Sequence, residues 1–149
     1  KSYKHISAEN FKKILNVNTI GPALVGKFFI PLLDSHSPSV MAFLSARVGS
    51  ISDNRLGGWH AYRSSKASLN MIIKNFSLEV SRTNKQASII GLHPGTVNTE
   101  LSKPFQKNVA ESKLFSPEFS AGAMAKVIDN LKQEDTGSVL AFDGSKIES

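Results

Sequence analysis

Short apolar runs alternate with longer amphipathic segments along this chain of 149 residues, and the alternation restricts the folds open to it. Runs typical of buried strands cover residues 39–45, 87–92 and 137–142, and apolar residues at helical spacing precede each of them. Parallel strands need long crossover connections, usually helices, and these are right-handed. The order helix, strand, helix, strand, helix, strand therefore predicts an α/β fold with helices packed on a parallel sheet.

The predicted helices have recognisable ends. Ser7 is a candidate N-cap for the first helix, whose apolar residues keep helical spacing as far as Val25, and Pro31 closes it. We predict the second helix over residues 61–82, which contain no helix breaker, and the third over residues 117 to about 132. Loops are predicted over residues 49–58 and 96–116, the latter mobile with one short helix.

Composition sets broad limits on function. Hydrophobic residues make up 40% and charged residues 20%, as in an ordinary globular protein, so we expect one domain over residues 1–149. No apolar run reaches the roughly 18 residues of a membrane span, and no secretory signal is visible, which predicts a cytoplasmic protein without a membrane partner. The net charge of +6 comes from scattered Lys and Arg, so solvated faces are favoured over a nucleic-acid site. The absence of cysteine excludes disulfides and thiolate chemistry.

Tyr62 and Lys66 are the pair that most clearly suggests chemistry. Residues four apart on a helix share a face, so the Lys66 ammonium would lie one turn from the Tyr62 phenol. A nearby cation favours phenolate and would lower the Tyr62 pKa from about 10 towards neutrality. Such a phenol can give or take a proton at a reacting oxygen, which suggests acid–base chemistry on an alcohol or a carbonyl. The same spacing also arises by chance on helices.

Further polar groups should meet this pair at one edge of the sheet. Ser45 and Pro94–Gly95 follow predicted strands, and Tyr62 opens the helix between them. Ligands of doubly wound sheets collect beyond the carboxyl ends of the strands, so we expect a binding site at that edge. His93 is favoured as a packed strand-end residue, because no second His or carboxylate stands at metal-ligand spacing from it, and no metal site is predicted.

Four motifs in this order resemble the short-chain dehydrogenase/reductase family. They are Asn16–Gly21, Leu44–Ser50, Tyr62-x-x-x-Lys66 and His93–Thr99. The loop at 53–59 and the Tyr-Arg-x-Ser-Lys form are most similar to the subgroup that contains the C-factor signalling proteins and the sniffer-type carbonyl reductases. The resemblance covers the whole chain but only about the carboxyl-terminal 60% of what the family contains.

The resemblance implies a Rossmann-like doubly wound parallel sheet and an oxidoreductase that interconverts a carbonyl and an alcohol with NADP or NAD. It implies that Tyr62 is the general acid/base and also contacts the cofactor, that Lys66 lowers the Tyr62 pKa and holds the nicotinamide ribose, and that Asn18 holds a water in a proton relay. The residues implied to line the nicotinamide are Pro94, Gly95, Val97 and Thr99. Residues 101–115 would form a substrate lid, and the first helix and the helix from Ala61 would pair in a homodimer.

Simpler roles remain open for several of these residues. Asn18 could cap or bridge backbone groups within a glycine-interrupted helix, and Pro94–Gly95 could be an ordinary turn after a strand. Thr99 could be an N-cap for the segment that follows it.

The serine that would polarise the substrate is displaced in this chain. The family pattern Ser-x-x-Gly, aligned on Gly49, places Ala46 at the serine position and Ser45 one residue early. Because side chains alternate across a strand, this shift would turn the Ser45 hydroxyl to the opposite face unless the strand has already bent. Ser45 is therefore the first candidate and Ser50 the second.

The sequence contains no counterpart of the family's Gly-rich phosphate-binding turn. We therefore expect the chain to correspond to the catalytic, carboxyl-terminal portion of such an enzyme, without the amino-terminal nucleotide-binding half. A sheet lacking its first strands would expose an apolar edge and apolar faces. The alternative hypothesis is a non-catalytic C-factor-like signalling or interaction protein, or an inactive fragment, since one fold can host unrelated functions.

Overall fold

Helices and strands alternate in the predicted order. The computed structural model describes residues 2–149, except for the side chains at positions 104, 105, 108 and 111. The α-helices are α1 (Ala8–Leu15), α2 (Gly21–Phe29), α3 (His60–Val80) and α4 (Pro117–Asp129). The strands are β1 (Ser39–Leu44), β2 (Ala87–His93), β3 (Thr96–Val97), β4 (Leu114–Phe115), β5 (Val139–Ala141) and β6 (Lys146–Ile147).

The main sheet has the strand order β1-β2-β5-β6. β1, β2 and β5 are parallel, with Phe43 opposite Gly91, as the crossover argument predicts. β6 is antiparallel to β5, which the sequence analysis did not predict. The chain reverses there through a tight turn in which Gly144 takes φ +83° and its N–H donates to the Ala141 carbonyl over 2.9 Å.

Helices cover both faces of this sheet. On one face α3 packs against β1 and β2 around the fully buried Leu69, Ile73 and Ile89. On the other face α4 packs Met124 and Val127 against Leu92 and its neighbours. The result is the doubly wound, Rossmann-like arrangement that the sequence analysis predicted.

The first predicted helix is interrupted. Between α1 and α2, residues Asn16–Ile20 form a π-helical turn, and a short 3-10 turn over Ile30–Leu32 ends the segment near Pro31 as expected. π-Helical turns insert one extra residue per turn and are frequent at functional sites. Beyond the break, Gly26 lets α2 approach α3 closely, since a Cβ at this position would lie 2.5 Å from the Phe76 ring.

An apolar surface is exposed beside β1. Within residues 2–149, β2 is the one strand that pairs with β1, so the other edge of β1 carries no strand. Leu44 on this strand is 60% exposed, and α2 with its flanks exposes further large apolar side chains: Val17, Ile20, Leu24, Val25, Phe28, Phe29 and Leu32. This is the exposure expected of a sheet without its first strands.

The helices are amphipathic rather than uniformly apolar. α3 is the longest described helix, with 21 residues, and carries three basic residues along its length. Across the described range, none of the helices combines the length and the apolar character that crossing a membrane requires.

Candidate active site

Tyr62, Lys66 and Asn70 lie on three successive turns of α3, along one face. The helix begins at His60, and Trp59 before it adopts the left-handed backbone conformation with φ 47°. Tyr62 and Asn70 are half-buried and Lys66 is only 8% exposed, so the face points into the molecule at the carboxyl edge of the sheet. The sequence spacing therefore predicted the shared face correctly.

Lys66 is anchored to the end of β1. Its Nζ donates to the carbonyl oxygen of Leu44, the last residue of the strand, over 2.9 Å. The same Nζ lies 5.8 Å from the centroid of the Tyr62 ring, so the ammonium faces the aromatic surface of the tyrosine. The pair meets as expected, with the cation over the ring.

Burial dominates the acid–base properties of this pair. It raises the pKa of the Tyr62 phenol above its usual value of 10.0, because a buried phenolate is poorly solvated. It also lowers the pKa of the Lys66 ammonium below its usual value of 10.5, for the same reason. The sequence-based expectation of a lowered Tyr62 pKa is wrong for this structure: the pKa is raised, and burial of the phenol is the cause.

Asn18 ties the π-helical turn to α3. Its Nδ2 donates to the Ser65 hydroxyl over 3.1 Å, and the hydroxyl of Thr19 donates to the Ser65 carbonyl oxygen over 3.0 Å. Ser65 is fully buried, and its own hydroxyl donates to the Tyr62 carbonyl oxygen over 2.7 Å. Asn18 is thereby linked to the turn of α3 between the tyrosine and the lysine, a contact with another helix that was not predicted from the sequence.

Ser45 faces α3. Its backbone N–H donates to the Leu92 carbonyl oxygen over 2.8 Å, and its hydroxyl donates to the Oδ1 of Asn70. The side chain is 4% exposed. Ser45 is thus on the same side of the sheet as Tyr62 and Lys66. Asn70 was not among the site residues predicted from the sequence, although its position four residues after Lys66 is a signal that could have identified it.

Ser50 has a different environment. Its hydroxyl accepts from the Asp53 N–H over 3.1 Å, and it lines a cavity of about 260 Å³ with Arg63 and Ser64. Those two residues lie on another face of α3 from Tyr62 and Lys66. Of the two candidate serines, Ser45 is therefore the one that bonds to the face of α3 shared by Lys66 and Asn70, through Asn70.

Pro94–Gly95 forms a bend directly after β2. Gly95 takes φ +76°, and a Cβ there would lie 2.6 Å from the Phe115 ring, so only glycine fits the turn. The Pro94 carbonyl oxygen accepts from the Ser120 hydroxyl over 2.8 Å, which fastens the bend to α4. The bend is thus packed from two sides at the carboxyl edge of the sheet.

Val97 and Thr99 follow this bend. Val97 lies in β3 and pairs with Phe115 in β4, a small parallel sheet that the sequence analysis missed. Thr99 is exposed, and its described hydrogen bonds to Ser102 use the Thr99 backbone rather than its side chain. The described bonds therefore give no side-chain N-cap at Thr99.

The predicted lid at residues 101–115 contains two short 3-10 helices, Lys103–Asn108 and Glu111–Lys113, and ends in β4. The sequence predicts one short helix in this segment. Four side chains of this segment, at positions 104, 105, 108 and 111, are outside the description. The Ser102 side chain links the segment to the site, since it donates to the Val97 carbonyl oxygen.

His93, the last residue of β2, is a half-buried imidazole that stays neutral near pH 7. Burial and, secondarily, the positive charge of Arg47 lower its pKa from 6.5 to about 4, although Asp143 acts in the opposite direction. Within the described part of the chain its Nδ1 has no hydrogen-bond partner. The structure agrees with a packed residue at the end of the strand.

Comparisons with known proteins agree with this geometry. A family model described as short chain dehydrogenase matches residues 1–110. Among characterised proteins, the chain is 35% identical to the 1-hydroxy-2-glutathionyl-2-methyl-3-butene dehydrogenase of Rhodococcus sp. (strain AD45) over 137 residues, which are 92% of this chain and 58% of that protein. It is 31% identical to the C-signal protein of Myxococcus xanthus over 135 residues, 91% of this chain and 76% of that protein.

Solved structures give the same result. The carbonyl reductase Sniffer of D. melanogaster superimposes with a TM-score of 0.87 at 24% identity, covering 100% of this chain and 61% of that one. An NADPH-bound carbonyl reductase from chicken fatty liver superimposes with a TM-score of 0.85 at 25% identity, and the match covers 100% of this chain and 61% of that one. The chain thus spans a little over half the length of the first relatives it matches. From its matched segment, its relatives and its fold, the chain belongs to the short-chain dehydrogenase/reductase family.

Proposed function

We propose that the protein is an NAD(P)-dependent oxidoreductase that interconverts a carbonyl compound and an alcohol, with Tyr62 as the acid/base. The observation that carries this proposal is the packing of Tyr62 and Lys66 on one face of α3 at the carboxyl edge of the sheet. Membership of a family of oxidoreductases supports it. The whole protein's substrate is a small molecule that bears a carbonyl or an alcohol.

The raised pKa of Tyr62 favours reduction as the direction in which the phenol acts directly. Near neutrality the phenol keeps its proton, so it can donate that proton to a carbonyl oxygen as the alcohol forms. The phenolate left behind gains from the neighbouring Lys66 cation, which has no described carboxylate partner to neutralise it. In the reverse direction the phenolate would take the proton of the alcohol.

The residues present fit a nicotinamide cofactor. Lys66 uses its described hydrogen bond on the Leu44 carbonyl oxygen, and an ammonium has three donors, so two remain for ribose hydroxyls. The bend at Pro94–Gly95, which packs against Phe115, holds backbone at the carboxyl edge of the sheet, where the nicotinamide would lie. The bound nicotinamide would supply or accept the hydride. The NADPH-bound chicken reductase, at 25% identity, makes NADP the first cofactor to test.

The remaining site residues have supporting roles in this proposal. Pro94, Gly95, Val97 and Thr99 would border the nicotinamide, and residues 101–115 would close over the substrate. Asn18 would connect Lys66 to solvent through a water, and Ser45 would polarise the substrate carbonyl. Each role concerns a residue at or next to the carboxyl edge of the sheet.

Replacing Tyr62 with Phe tests the proposal. The described part of the chain offers the Tyr62 hydroxyl no hydrogen bond, so the variant should stay within about 0.5 kcal/mol of the parent in unfolding free energy. Turnover of a carbonyl substrate with NADPH or NADH should fall about a hundred- to ten-thousandfold, the range for loss of a general acid. Binding of NADPH, followed by its fluorescence, should change little. Turnover unchanged in Tyr62→Phe would contradict the assignment.

A non-catalytic signalling or interaction protein is the second candidate. The similarity to the C-signal protein and the exposed apolar side chains of α2 favour it. The two candidates differ in cofactor binding, because an interaction protein needs none. Absence of NADPH and NADH binding to the intact protein, with Tyr62→Phe retaining its interactions, would favour the second candidate.

We also propose a cytoplasmic homodimer that pairs the α1–α2 segment and α3 across a two-fold axis. α2 exposes several large apolar side chains, as such an interface requires. Sedimentation velocity tests this assembly, and a monomer at all concentrations would count against it.

A further inference from the structure

Ser65 is the residue of α3 to which the π-helical turn is bonded. It is fully buried and stands between Tyr62 and Lys66, three residues after the tyrosine. The Nδ2 of Asn18 lies 3.1 Å from the Ser65 hydroxyl oxygen, and the hydroxyl of Thr19 lies 3.0 Å from the Ser65 carbonyl oxygen. Two neighbouring side chains of the π-helical turn therefore meet one residue of α3.

The Ser65 hydroxyl can donate in one direction only. Its oxygen lies 2.7 Å from the carbonyl oxygen of Tyr62, a group that can accept but cannot donate. The single proton of the serine is therefore used on that carbonyl oxygen, because two acceptors would otherwise face each other at hydrogen-bonding distance. The hydroxyl has only its lone pairs left to offer Asn18.

The Ser65 proton thereby determines the orientation of the Asn18 amide. The end of the amide that faces the serine must be the donor Nδ2, so the acceptor Oδ1 occupies the other position. Asn18 is half-buried, and the described hydrogen bonds leave its Oδ1 unused. An amide oxygen with free lone pairs and partial access to solvent can accept a hydrogen bond from a water.

We propose that Ser65 is a positioning residue, which orients the Asn18 amide so that its Oδ1 holds a water beside the turn of α3 that carries Tyr62 and Lys66. This inference rests on the proposed function, because that function gives Asn18 a water in the proton relay. Ser65 suits the role because its burial keeps bulk water from competing with Asn18 for the hydroxyl. Asn18 acts on the water, and Ser65 acts through Asn18.

Ser65→Ala and Thr19→Val separate this role from a merely bracing one. Both remove a hydroxyl that ties the π-helical turn to α3, but Thr19→Val leaves the bond between Asn18 and Ser65 in place. With NADPH and the carbonyl substrate used for Tyr62→Phe, Ser65→Ala should lower kcat about ten- to a hundredfold, as Asn18→Ala does, because the water is misplaced. Thr19→Val should stay close to the parent. The double variant of Ser65 and Asn18 should be no slower than Asn18→Ala, because both changes remove one interaction.

Two further readouts would not respond to a bracing role. Loss of the relay water slows proton transfer, so the solvent deuterium isotope effect on kcat should rise in Ser65→Ala and Asn18→Ala but not in Thr19→Val. The side-chain amide protons of Asn18 report on the orientation without any turnover. In NMR spectra of the 15N-labelled protein, they should exchange with water faster in Ser65→Ala than in the parent, and at the parental rate in Thr19→Val.

Any of four results would overturn the inference: equal losses of kcat in Ser65→Ala and Thr19→Val, losses that multiply in the double variant, parental kcat in Asn18→Ala, or unchanged amide exchange in Ser65→Ala. Urea unfolding of each variant establishes that folded protein is compared. Alanine is well tolerated in helices, and Ser65→Cys, which keeps a weak donor of similar size, supplies the same comparison if Ser65→Ala is unstable. Parental turnover in Tyr62→Phe would instead refute the proposed function and leave the amide exchange unaffected, so the two failures are distinguishable.

Discussion

Acid should destabilise the folded chain through His93, at the end of β2. Burial and the nearby Arg47 cation hold its pKa at about 4, against 6.5 for an ordinary histidine. Its buried Nδ1 finds no hydrogen-bond partner in the described residues, so a proton there would be charged and unpaired. The folded state therefore keeps this imidazole neutral at pH values at which the unfolded chain has protonated it.

The size of the effect follows from the two pKa values. Between pH 6.5 and pH 4 the unfolded chain binds a proton that the folded chain refuses, so the free energy of unfolding falls as the pH falls. The loss due to His93 is negligible at pH 7.5, about 2 kcal/mol at pH 5, and about 3 kcal/mol at pH 4. Over a total stability of about 5–15 kcal/mol, this loss is readily measured.

Urea unfolding at pH 7.5 and at pH 5.0 measures it. The parent should lose about 2 kcal/mol more than His93→Asn, which keeps a short polar side chain that does not titrate. His36→Asn, a change at an exposed histidine, should behave like the parent. Carboxyl groups such as Asp135, whose pKa is lowered mainly by its hydrogen bond to Lys146, also lose stability in acid, but equally in all three proteins. Equal losses in the parent and His93→Asn would refute the reasoning.

Two glycine substitutions test the packing of the site. Gly49→Ala should destabilise the chain by about 1–3 kcal/mol and lower kcat, because its Cβ would lie 2.8 Å from the Lys66 carbonyl carbon. Gly122→Ala is its control: nothing lies within 4 Å of a Cβ on that α4 residue, so thermal unfolding should show equal or higher stability. Gly95→Ala should cost at least about 1 kcal/mol in urea unfolding, because its φ is +76° and its Cβ would meet Phe115. Parental stability in Gly49→Ala or Gly95→Ala would show that the close contact is relieved at no cost.

Hydrophobic periodicity predicted the main elements because it reflects burial directly. α3, β1 and β2 lie within two residues of their predicted ends, and the parallel order of β1, β2 and β5 follows from helical crossovers. The missed elements, β3, β4 and β6, are two residues long and carry too few side chains to show a period. The π-helical turn at 16–20 was missed for another reason: its side chains bond to Ser65, which is 46 and 47 residues away along the chain from the two partners.

Some features of the candidate active site could likewise be predicted from local spacing, and others depend on tertiary contacts. The shared face of Tyr62 and Lys66 is a property of one helix, so local spacing predicted it. The shift of the Tyr62 pKa is not set by local sequence, since its direction depends on how much of the phenol the surrounding elements bury. The choice between Ser45 and Ser50 depended on which part of α3 each serine meets: Ser45 bonds to Asn70, whereas Ser50 lines a cavity with Arg63 and Ser64.

The sequence by itself determined the α/β order, the family and the helix face on which the tyrosine and lysine stand, because these depend on patterns a few residues long. The tertiary structure decided the groups that these residues meet. It anchors Lys66 on the Leu44 carbonyl oxygen, directs the Ser45 hydroxyl to the Oδ1 of Asn70, and keeps the His93 imidazole neutral. Each outcome depends on desolvation and on contacts between residues far apart in the chain, which no local pattern records.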